Sequence, residues 1–251
     1  MKSLILLLTL FLGLSFNTKD LPIWNPKQGK LVDKNKEGEV KFLERKKQCK
    51  ALWEKEYKTL SDTDKQIYNQ CSESEIEGDY WSILGYGDCS WYCGAEGDTV
   101  SASSYLKSNY KNINYSPRNA YDLNYQTAWV EGVEGDGIGE SLKYEFPSYH
   151  PRITSIIVVN GYVKSEKAWR ENSRVKQLKL YINGKPTALL NLKDSRNEQI
   201  FEVEPIGHSD RANLKDKSNW TLTFEITEVY KGEKYEDTVI TEIYFDGIDV
   251  H

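Results

Sequence analysis

Residues 220–227 read WTLTFEIT, and in this stretch large apolar side chains alternate strictly with polar ones. A period of two indicates a strand with one buried and one solvated face, because successive side chains point to opposite sides of a sheet. The same alternation runs through residues 178–182, and Asn183-Gly184 follows directly as a hairpin turn signal. These two stretches therefore predict antiparallel β-structure.

Further strands are predicted on both sides of residues 220–227. Dense apolar runs occupy residues 153–159 and 240–245, and weaker candidates cover 140–146 and 199–203. Many short strands separated by turns are typical of a sandwich or a barrel. We therefore expect a mainly β domain over residues 84–251, which begins with an irregular junction rich in glycine and aromatic residues.

The segment before the strands has a helical period. The apolar positions that recur on one helix face are Phe42, Cys49, Trp53, Tyr57 and Leu60. Ser61, followed three residues later by Asp64, resembles a capping box, so a second helix should begin there and carry Cys71. Residues 20–83 are accordingly interpreted as a linker over 21–36 followed by a small helical hairpin.

The cysteines are predicted to form disulfides. Cys49 and Cys71 would lie on facing helices, and Cys89 and Cys93 are near enough to close a small loop, so we predict these two pairs. The alternatives stay open, since the 4 cysteines allow three pairings. A zinc site is a further alternative, although Cys-x3-Cys lacks the usual paired spacing and no histidine lies nearby.

The N-terminus indicates export. Lys2 precedes an apolar run over residues 3–16, which is a signal-peptide pattern and is short for a membrane span. We expect a signal peptide over residues 1–19, a mature chain that begins near 18–20, and a secreted or periplasmic/cell-surface protein without a membrane span. The net charge of −5 gives no basic face for nucleic acid.

Residues 119–132 read NAYDLNYQTAWVEG, which resembles the discoidin-type (galactose-binding-like) signature of an Ala, an Asp and a Thr-x-Trp after the first strand. The later matching motifs are GIGE at 137–140, NGYVKS at 160–165, NSRVK at 172–176, VYKGEKYEDT at 229–238 and ITEIYFDG at 240–247. In this order they resemble the discoidin-like domain of the bacterial NAD-glycohydrolase translocation type. The resemblance implies a jelly-roll β-sandwich whose loops at one end bind a sugar, a lipid headgroup or a protein. It does not imply NAD hydrolysis, because the catalytic part of that toxin is not visible here.

The resemblance also implies a structural calcium site. Carried over by position, its side-chain ligands would be Asp122, Thr127 and Glu242, and the backbone carbonyls of Ala120 and Asn124 would be available. Calcium binds six to eight oxygen atoms from carboxylates, carbonyls and hydroxyls. The alternative is a simple turn at Asp122, with Glu242 on a solvated strand face.

Aromatic, amide and guanidinium side chains within these motifs form the candidate ligand site. The side chains that cluster in the motifs are Trp129, Asn160, Tyr162, Lys164, Trp169, Asn172 and Arg174. Of these, the predicted ligand set is Trp129, Asn160, Tyr162, Asn172 and Arg174. Asn and Arg can bind sugar hydroxyls, and Trp and Tyr can stack on the apolar face of a pyranose. The structural alternatives are that Trp129 is core, that Asn160-Gly161 only makes a turn, and that Arg174 pairs with a buried carboxylate.

The sequence thus predicts a secreted, non-enzymatic module that binds carbohydrate, with a glycan or a cell-surface protein as its partner. One alternative is a protein-interaction or translocation-accessory domain without a sugar ligand. Another is a weak glycosidase that uses the acidic loop carboxylates Glu131, Glu134, Asp136 and Glu140. A glycosidase would need two carboxylates that face each other across a cleft.

Overall fold

The computed structural model describes residues 21–87, 90–95, 97–111 and 113–250. Within these ranges the strands are β1 (Ile23–Trp24), β2 (Lys27–Leu31), β3 (Thr99–Ala102), β4 (Trp129–Val130), β5 (Ser141–Phe146), β6 (Arg152–Asn160), β7 (Ser173–Ile182), β8 (Lys185–Asn191), β9 (Asn197–Ile206), β10 (Trp220–Tyr230) and β11 (Thr238–Ile248). The helices are α1 (Lys36–Trp53), α2 (Asp62–Tyr68), α3 (Glu73–Glu77) and α4 (Glu166–Glu171). The predicted signal peptide, and Cys89 with its predicted disulfide to Cys93, lie outside the described residues.

The 11 strands of the described ranges are hydrogen-bonded in one continuous network, which we divide into two sheets at the pairing of β11 with β7. One has the order β2-β9-β6-β11, with β4 also paired to β11, and the other has the order β7-β10-β5-β3, with β8 and then β1 on the far side of β7. Neighbours are antiparallel except β1 with β8, and β11 with β7. The short parallel pairing of β11 with β7 carries the hydrogen bonding from one sheet to the other.

The core lies between the two sheets. Tyr144 on β5 contacts Phe245 on β11, with ring centroids 5.2 Å apart, although these strands belong to different sheets. The four apolar side chains of residues 220–227 are at most 2% exposed. Burial of such side chains contributes about 1.5–3 kcal/mol each. The predicted β-sandwich is therefore confirmed.

The predicted hairpin turn joins β7 to β8. Asn183 and Gly184 both have positive φ, 51° and 74°, as a type I′ turn requires. Each of the strands predicted from residues 140–146, 153–159, 199–203 and 240–245 is present. The first begins one residue later than predicted, and the other three extend beyond their predicted bounds at both ends.

The helical unit is joined by the Cys49–Cys71 disulfide, as predicted. The bond uses the thiols that a zinc site at this pair would need. Ser61 caps α2 by accepting from the Asp64 backbone N–H at 3.1 Å. Cys71, however, lies beyond the end of α2, in the turn before α3, a helix that the sequence analysis did not predict.

The first predicted helix is shorter than the apolar spacing indicated. It ends at Trp53, so Tyr57 and Leu60 are not on it. The chain turns back instead, because Trp53 and Tyr57 both pack against Tyr68 of α2, with ring centroids 6.0 and 5.1 Å away. A continuous helix would carry Tyr57 away from that contact.

The predicted linker is also incorrect over part of its length, because it contributes β1 and β2. Strand β1 pairs with β8 of one sheet, and β2 pairs with β9 of the other. Lys30 on β2 approaches the buried carboxylate of Glu198 on β9, which accepts hydrogen bonds from Tyr125 and Tyr244. The N-terminal segment is thus part of the sandwich. No helix in the described ranges is both long and apolar enough to cross a membrane.

Candidate functional site

A concave surface lies at the end of the sandwich where β6 and β10 finish and where β7 and β11 begin. Its volume is about 360 Å³. Walls come from the β6–β7 connection, which contains α4, from the β10–β11 loop, and from the segment before the 3₁₀ turn at 117–120. We call it the tyrosine pocket, and its lining includes Tyr115, Tyr162, Tyr235, Lys164, Lys167, Glu171, Asn172 and Asp237.

Three tyrosines give this pocket its aromatic wall. The rings of Tyr115 and Tyr162 meet edge to face, with centroids 6.4 Å apart. Tyr235 is 41% exposed at the rim. Burial raises the pKa of Tyr162 to about 12 and raises that of Tyr115 as well, so both phenols stay neutral hydrogen-bonding groups at physiological pH. The wall therefore combines apolar ring surface with hydroxyl groups.

Polar groups of both charges complete the pocket. The Nζ of Lys164 lies 4.0 Å from the centroid of the Tyr162 ring, and burial lowers the pKa of this half-buried lysine. Burial raises the pKa of Asp237, and the neighbouring Glu236 carboxylate adds to this effect. The Asn172 amide donates to the Ala168 carbonyl at 2.8 Å, which fixes its orientation beside α4.

A second concave surface adjoins the first. It has a volume of about 370 Å³ and is lined by residues that include Asn119, Gln126 and Thr127. Tyr162 and Lys164 line both surfaces and form the ridge between them. A ligand longer than one ring could therefore cross this ridge.

Two of the predicted ligand residues are wrong, because they are buried. Trp129 is 0% exposed and packs in the core, where its indole Nε1 donates to the Ser104 carbonyl at 2.9 Å. Asn160 is 1% exposed. Its amide donates to the Val175 carbonyl at 2.7 Å and accepts from the Val175 N–H at 3.0 Å. The Trp129 indole and the Asn160 amide are thus buried and hydrogen-bonded to the backbone, so they cannot reach a ligand.

Arg174 also belongs to the structure behind the pocket. Its guanidinium is bidentate to Asp194, at 3.0 and 2.8 Å, and donates to the carbonyls of Asn172 and Lys231 at 3.0 and 3.2 Å. It lies 4.6 Å from the Trp169 ring of α4. Of the predicted ligand set, only Tyr162 and Asn172 line the pocket.

The buried residues hold the pocket wall in place. Trp169 donates its indole N–H to the Asn160 carbonyl at 3.1 Å, which anchors α4. Gly161 has φ +73°, and a Cβ there would lie 2.6 Å from Arg174 Cγ and 2.7 Å from Trp169 Cδ1. Only glycine accommodates both the left-handed backbone and this close approach.

The sequence analysis left several pocket residues out of its ligand set. Lys164 lies in the NGYVKS motif, and Tyr235 and Asp237 lie in VYKGEKYEDT, so the motifs themselves held the signal. Tyr115 lies before the first motif in the sequence, and no motif or spacing marks it as a ligand residue. Its phenol interacts electrostatically with Tyr162, Lys164 and Asp237, which places it centrally in the pocket.

The predicted calcium ligands come together at a second site. The Thr127 hydroxyl lies 2.9 and 2.8 Å from the two Asp122 carboxylate oxygens and 3.3 Å from the Asn124 carbonyl. One Glu242 oxygen accepts from the Asn124 N–H at 3.3 Å. The Ala120 carbonyl accepts from the Tyr144 hydroxyl at 3.1 Å. The loop turns through Leu123, whose φ is +58°.

The donor set of this second site fits a calcium ion. Glu242 is 0% exposed, and its Oε1 has no hydrogen-bond partner among the described residues. Burial, and then the Asp122 charge, raise the pKa of Glu242 well above its usual range, and burial raises that of Asp122. The buried Glu242 carboxylate and the half-buried Asp122 carboxylate, with a hydroxyl and a carbonyl nearby, are hard oxygen ligands. A divalent cation would neutralise the charge of the two carboxylates. The alternative of a solvated Glu242 is excluded by its burial.

The acidic loop does not present paired carboxylates to a cleft. Glu131 is buried beneath Gly137 and accepts from the Val133 and Thr238 N–H groups at 2.8 and 3.2 Å. Asp136 forms an ion pair with Lys231. Glu140 accepts from the Ser103 hydroxyl at 2.6 Å, and Glu134 is exposed. The Glu131 carboxylate therefore holds the loop against β11, and the Asp136 and Glu140 carboxylates are already paired with other side chains.

Comparisons with known proteins place the chain in a family. The model of the NAD glycohydrolase translocation F5/8 type C domain matches residues 91–246. No curated protein matches the chain.

Several solved structures are similar at low identity. CpGH89CBM32-5 from Clostridium perfringens, in complex with GalNAc-beta-1,3-galactose, is 13% identical, with 60% of this chain and 95% of that chain covered and a TM-score of 0.41. The CBM32-1 and CBM32-2 domains of Clostridium perfringens ZmpB, in complex with GalNAc, are 10% identical, with coverage of 72% and 38% and a TM-score of 0.40. The arabinofuranosyltransferase AftD from Mycobacteria is 16% identical, with coverage of 61% and 11% and a TM-score of 0.41. No functional conclusion follows from likenesses at this level.

The family model covers more than half of the chain and includes the motifs around both sites. The chain belongs to the NAD glycohydrolase translocation F5/8 type C domain family, whose members are discoidin-like.

Proposed function

We propose that this protein binds glycans through the tyrosine pocket. The observation that carries the proposal is the edge-to-face pair of Tyr115 and Tyr162 at one end of the sandwich. Sugar sites commonly combine an aromatic surface, against which the C–H face of a pyranose packs, with a few convergent polar groups. Asn172, Lys164 and Asp237 supply such groups around the same pocket.

The proposed role is binding without catalysis. Hydrolysis of a glycosidic bond requires a proton donor and a second carboxylate on opposite sides of the bond. Asp237 and Glu171 line the pocket, but Glu171 is already within 3.9 Å of Lys167. The acidic loop, which was the other source of carboxylates, is held by Ser103, Lys231 and backbone N–H groups.

A second candidate function is that of a protein-interaction or translocation-accessory domain without a sugar ligand. Family membership favours it, because the family is described by translocation. Export of the chain to the cell surface or beyond, proposed from residues 1–19, is compatible with either function. Mass spectrometry of the exported protein tests this part, and an intact Met1 on most molecules would contradict it.

Calcium is proposed as a structural ion held by Asp122, Thr127 and Glu242. It would neutralise the buried Glu242 carboxylate and tie the loop after the 3₁₀ turn at 117–120 to β11. A ligand that binds only the folded state, at a hundredfold excess over its Kd, stabilises by about 2.7 kcal/mol. The melting temperature should rise from chelator to millimolar calcium in the wild type and should not rise in Glu242→Gln. An equal response in both proteins would remove Glu242 from the site.

The function itself is tested by a glycan array probed with the mature protein, with and without a chelator. Tyr115→Ala and Tyr162→Ala should abolish binding, since each removes a ring of the wall. Tyr86→Ala is the matched control, because Tyr86 is 49% exposed and does not line the pocket. An array without any bound glycan, from protein with a wild-type melting curve, would favour the second candidate function.

A further inference from the structure

The charged residues of the tyrosine pocket indicate which chemical class of glycan it would bind. This inference rests on the proposed function. Two cations line the pocket, Lys164 and Lys167. Lys167 has an exposed side chain and lies 3.9 Å from Glu171, so its charge is already matched. Lys164 forms no ion pair and no hydrogen bond with any residue in the described part of the chain. It is therefore the cation whose charge remains available.

Lys164 lies at the ridge between the two concave surfaces, where a ligand that extends from one to the other would contact it. Its Nζ lies 4.0 Å from the Tyr162 ring centroid, which fixes it against the aromatic wall. It is half-buried, and it lines both concave surfaces at the ridge that they share. A lysine normally extends its ammonium group into water, because desolvation of the charge is costly. The contact with the ring compensates for only part of the lost hydration.

The carboxylate of Asp237 does not neutralise Lys164. The two groups line the same pocket, but they are not within the 4.0 Å of an ion pair. Tyr115 lies within electrostatic range of both, and so does a ligand that packs on Tyr115. Such a ligand meets a cation on one side and a hydrogen-bond acceptor for sugar hydroxyls on the other.

We propose that the glycan recognised by the tyrosine pocket is acidic, and that its anionic group binds Lys164 while its hydroxyls donate to Asp237. The proposed ligand class is an anionic sugar whose negative charge is carried by a carboxylate or by a sulfate. A charge-assisted hydrogen bond to a half-buried ammonium is stronger than a neutral one. The preference for the acidic form over its neutral counterpart should be about tenfold to a hundredfold.

The test uses an array of matched glycans, in which each core is present as its neutral, carboxylated, methyl-esterified and sulfated form. The methyl ester keeps the shape of the acid and removes its charge. Wild type should bind the carboxylated or the sulfated forms, and whichever form it binds identifies the anionic group that is recognised. Lys164→Gln should lose the preference, and Lys164→Arg should retain it. Lys179→Gln is the matched control, because Lys179 also lies over a tyrosine ring, 4.9 Å from the Tyr181 centroid, but does not line either concave surface, so its loss should leave the preference unchanged.

The outcomes separate this inference from the proposed function. Equal binding of neutral and acidic forms would overturn the inference and leave glycan binding in place. An acidic preference that persists in Lys164→Gln, with an unchanged melting temperature, would overturn the role of Lys164. Absence of binding to every form would overturn the proposed function and the inference together. If Lys164→Gln fails to fold, the ratio of acid to methyl ester measured on wild type and on Lys164→Arg still decides the anionic preference.

Discussion

Replacement of Arg174 by alanine should destabilise the protein much more than it weakens binding. The side chain is 9% exposed and makes four N–H hydrogen bonds, two to Asp194 and two to the backbone carbonyls of Asn172 and Lys231. Loss of one partner of a buried ion pair costs about 3–5 kcal/mol. Asp194 is 37% exposed, so water can solvate it in the variant, and we discount the cost to about 2–4 kcal/mol.

This loss should appear as a lower melting temperature. For a chain of this size each kcal/mol shifts the midpoint by about 2–4 °C, so Arg174→Ala should melt about 5–15 °C below the wild type in differential scanning calorimetry. Lys176→Ala is the matched control on the same strand, because the Lys176–Glu228 pair is half-exposed and should change the midpoint little. Below the variant's transition, glycan affinity should fall less than about tenfold, since Arg174 does not line the pocket.

Two results would refute this reasoning. A variant that melts within about 2 °C of wild type would mean that the guanidinium does not hold the β7 region together. A variant that folds normally and loses more than about a hundredfold in affinity would mean that Arg174 faces the ligand. In that case α4 and the loop around it adopt a different arrangement in solution.

Other positions give sharp expectations. Replacing Cys49 and Cys71 by serine should lower the stability of the helical unit by about 3 kcal/mol, because the bond closes a loop of sequence separation 22; unchanged hydrogen exchange over residues 36–77 would contradict this. Burial lowers the pKa of His150, so stability should fall by up to about 1.4 kcal/mol per pH unit as the pH drops below about 6.5 towards that lowered pKa. In urea titrations from pH 7.5 to 5, His150→Phe should flatten this part of the profile, and an unaltered slope would exclude His150 as its origin. Gly161→Ala should lower the free energy of unfolding by about 2–5 kcal/mol, because alanine there would adopt a left-handed backbone and contact Arg174 and Trp169. Gly184→Ala, at nearly the same φ but in open space, should lower it by only about 1–2 kcal/mol. Equal melting midpoints for the two variants would argue against the close packing at Gly161.

The sandwich was predictable because its strands follow a local rule. Alternation in residues 220–227 and the Asn183-Gly184 turn depend on neighbouring residues alone, and both are confirmed. The end of α1 depends on a contact with Tyr68 from another helix, which no spacing within α1 contains. Strands β1 and β2 gain their partners from β8 and β9, more than a hundred residues away in sequence.

The candidate site was only partly predictable for a similar reason. The residue types of Trp129, Asn160 and Arg174 suit sugar binding, but the same hydrogen-bonding groups also suit the backbone and Asp194. A motif identifies the loops that form a site, and it does not say which side chains point into the pocket and which point behind it. Tyr115 reaches the pocket from a segment without any motif, so only the fold could add it.

The N-terminal strands change which edges the sandwich presents to other molecules. Strand β9 carries apolar residues and, without β2, would offer a row of free backbone groups on which another chain could add a strand. Strand β2 covers that row and is itself short and mostly exposed, with Lys27 and Lys30 on it. Lysines on an edge strand discourage pairing, because a second chain would have to bury their charges. The segment from residue 21 onward should therefore protect the sandwich against edge-to-edge association, and a fragment that starts at residue 84 should aggregate more readily than the longer chain.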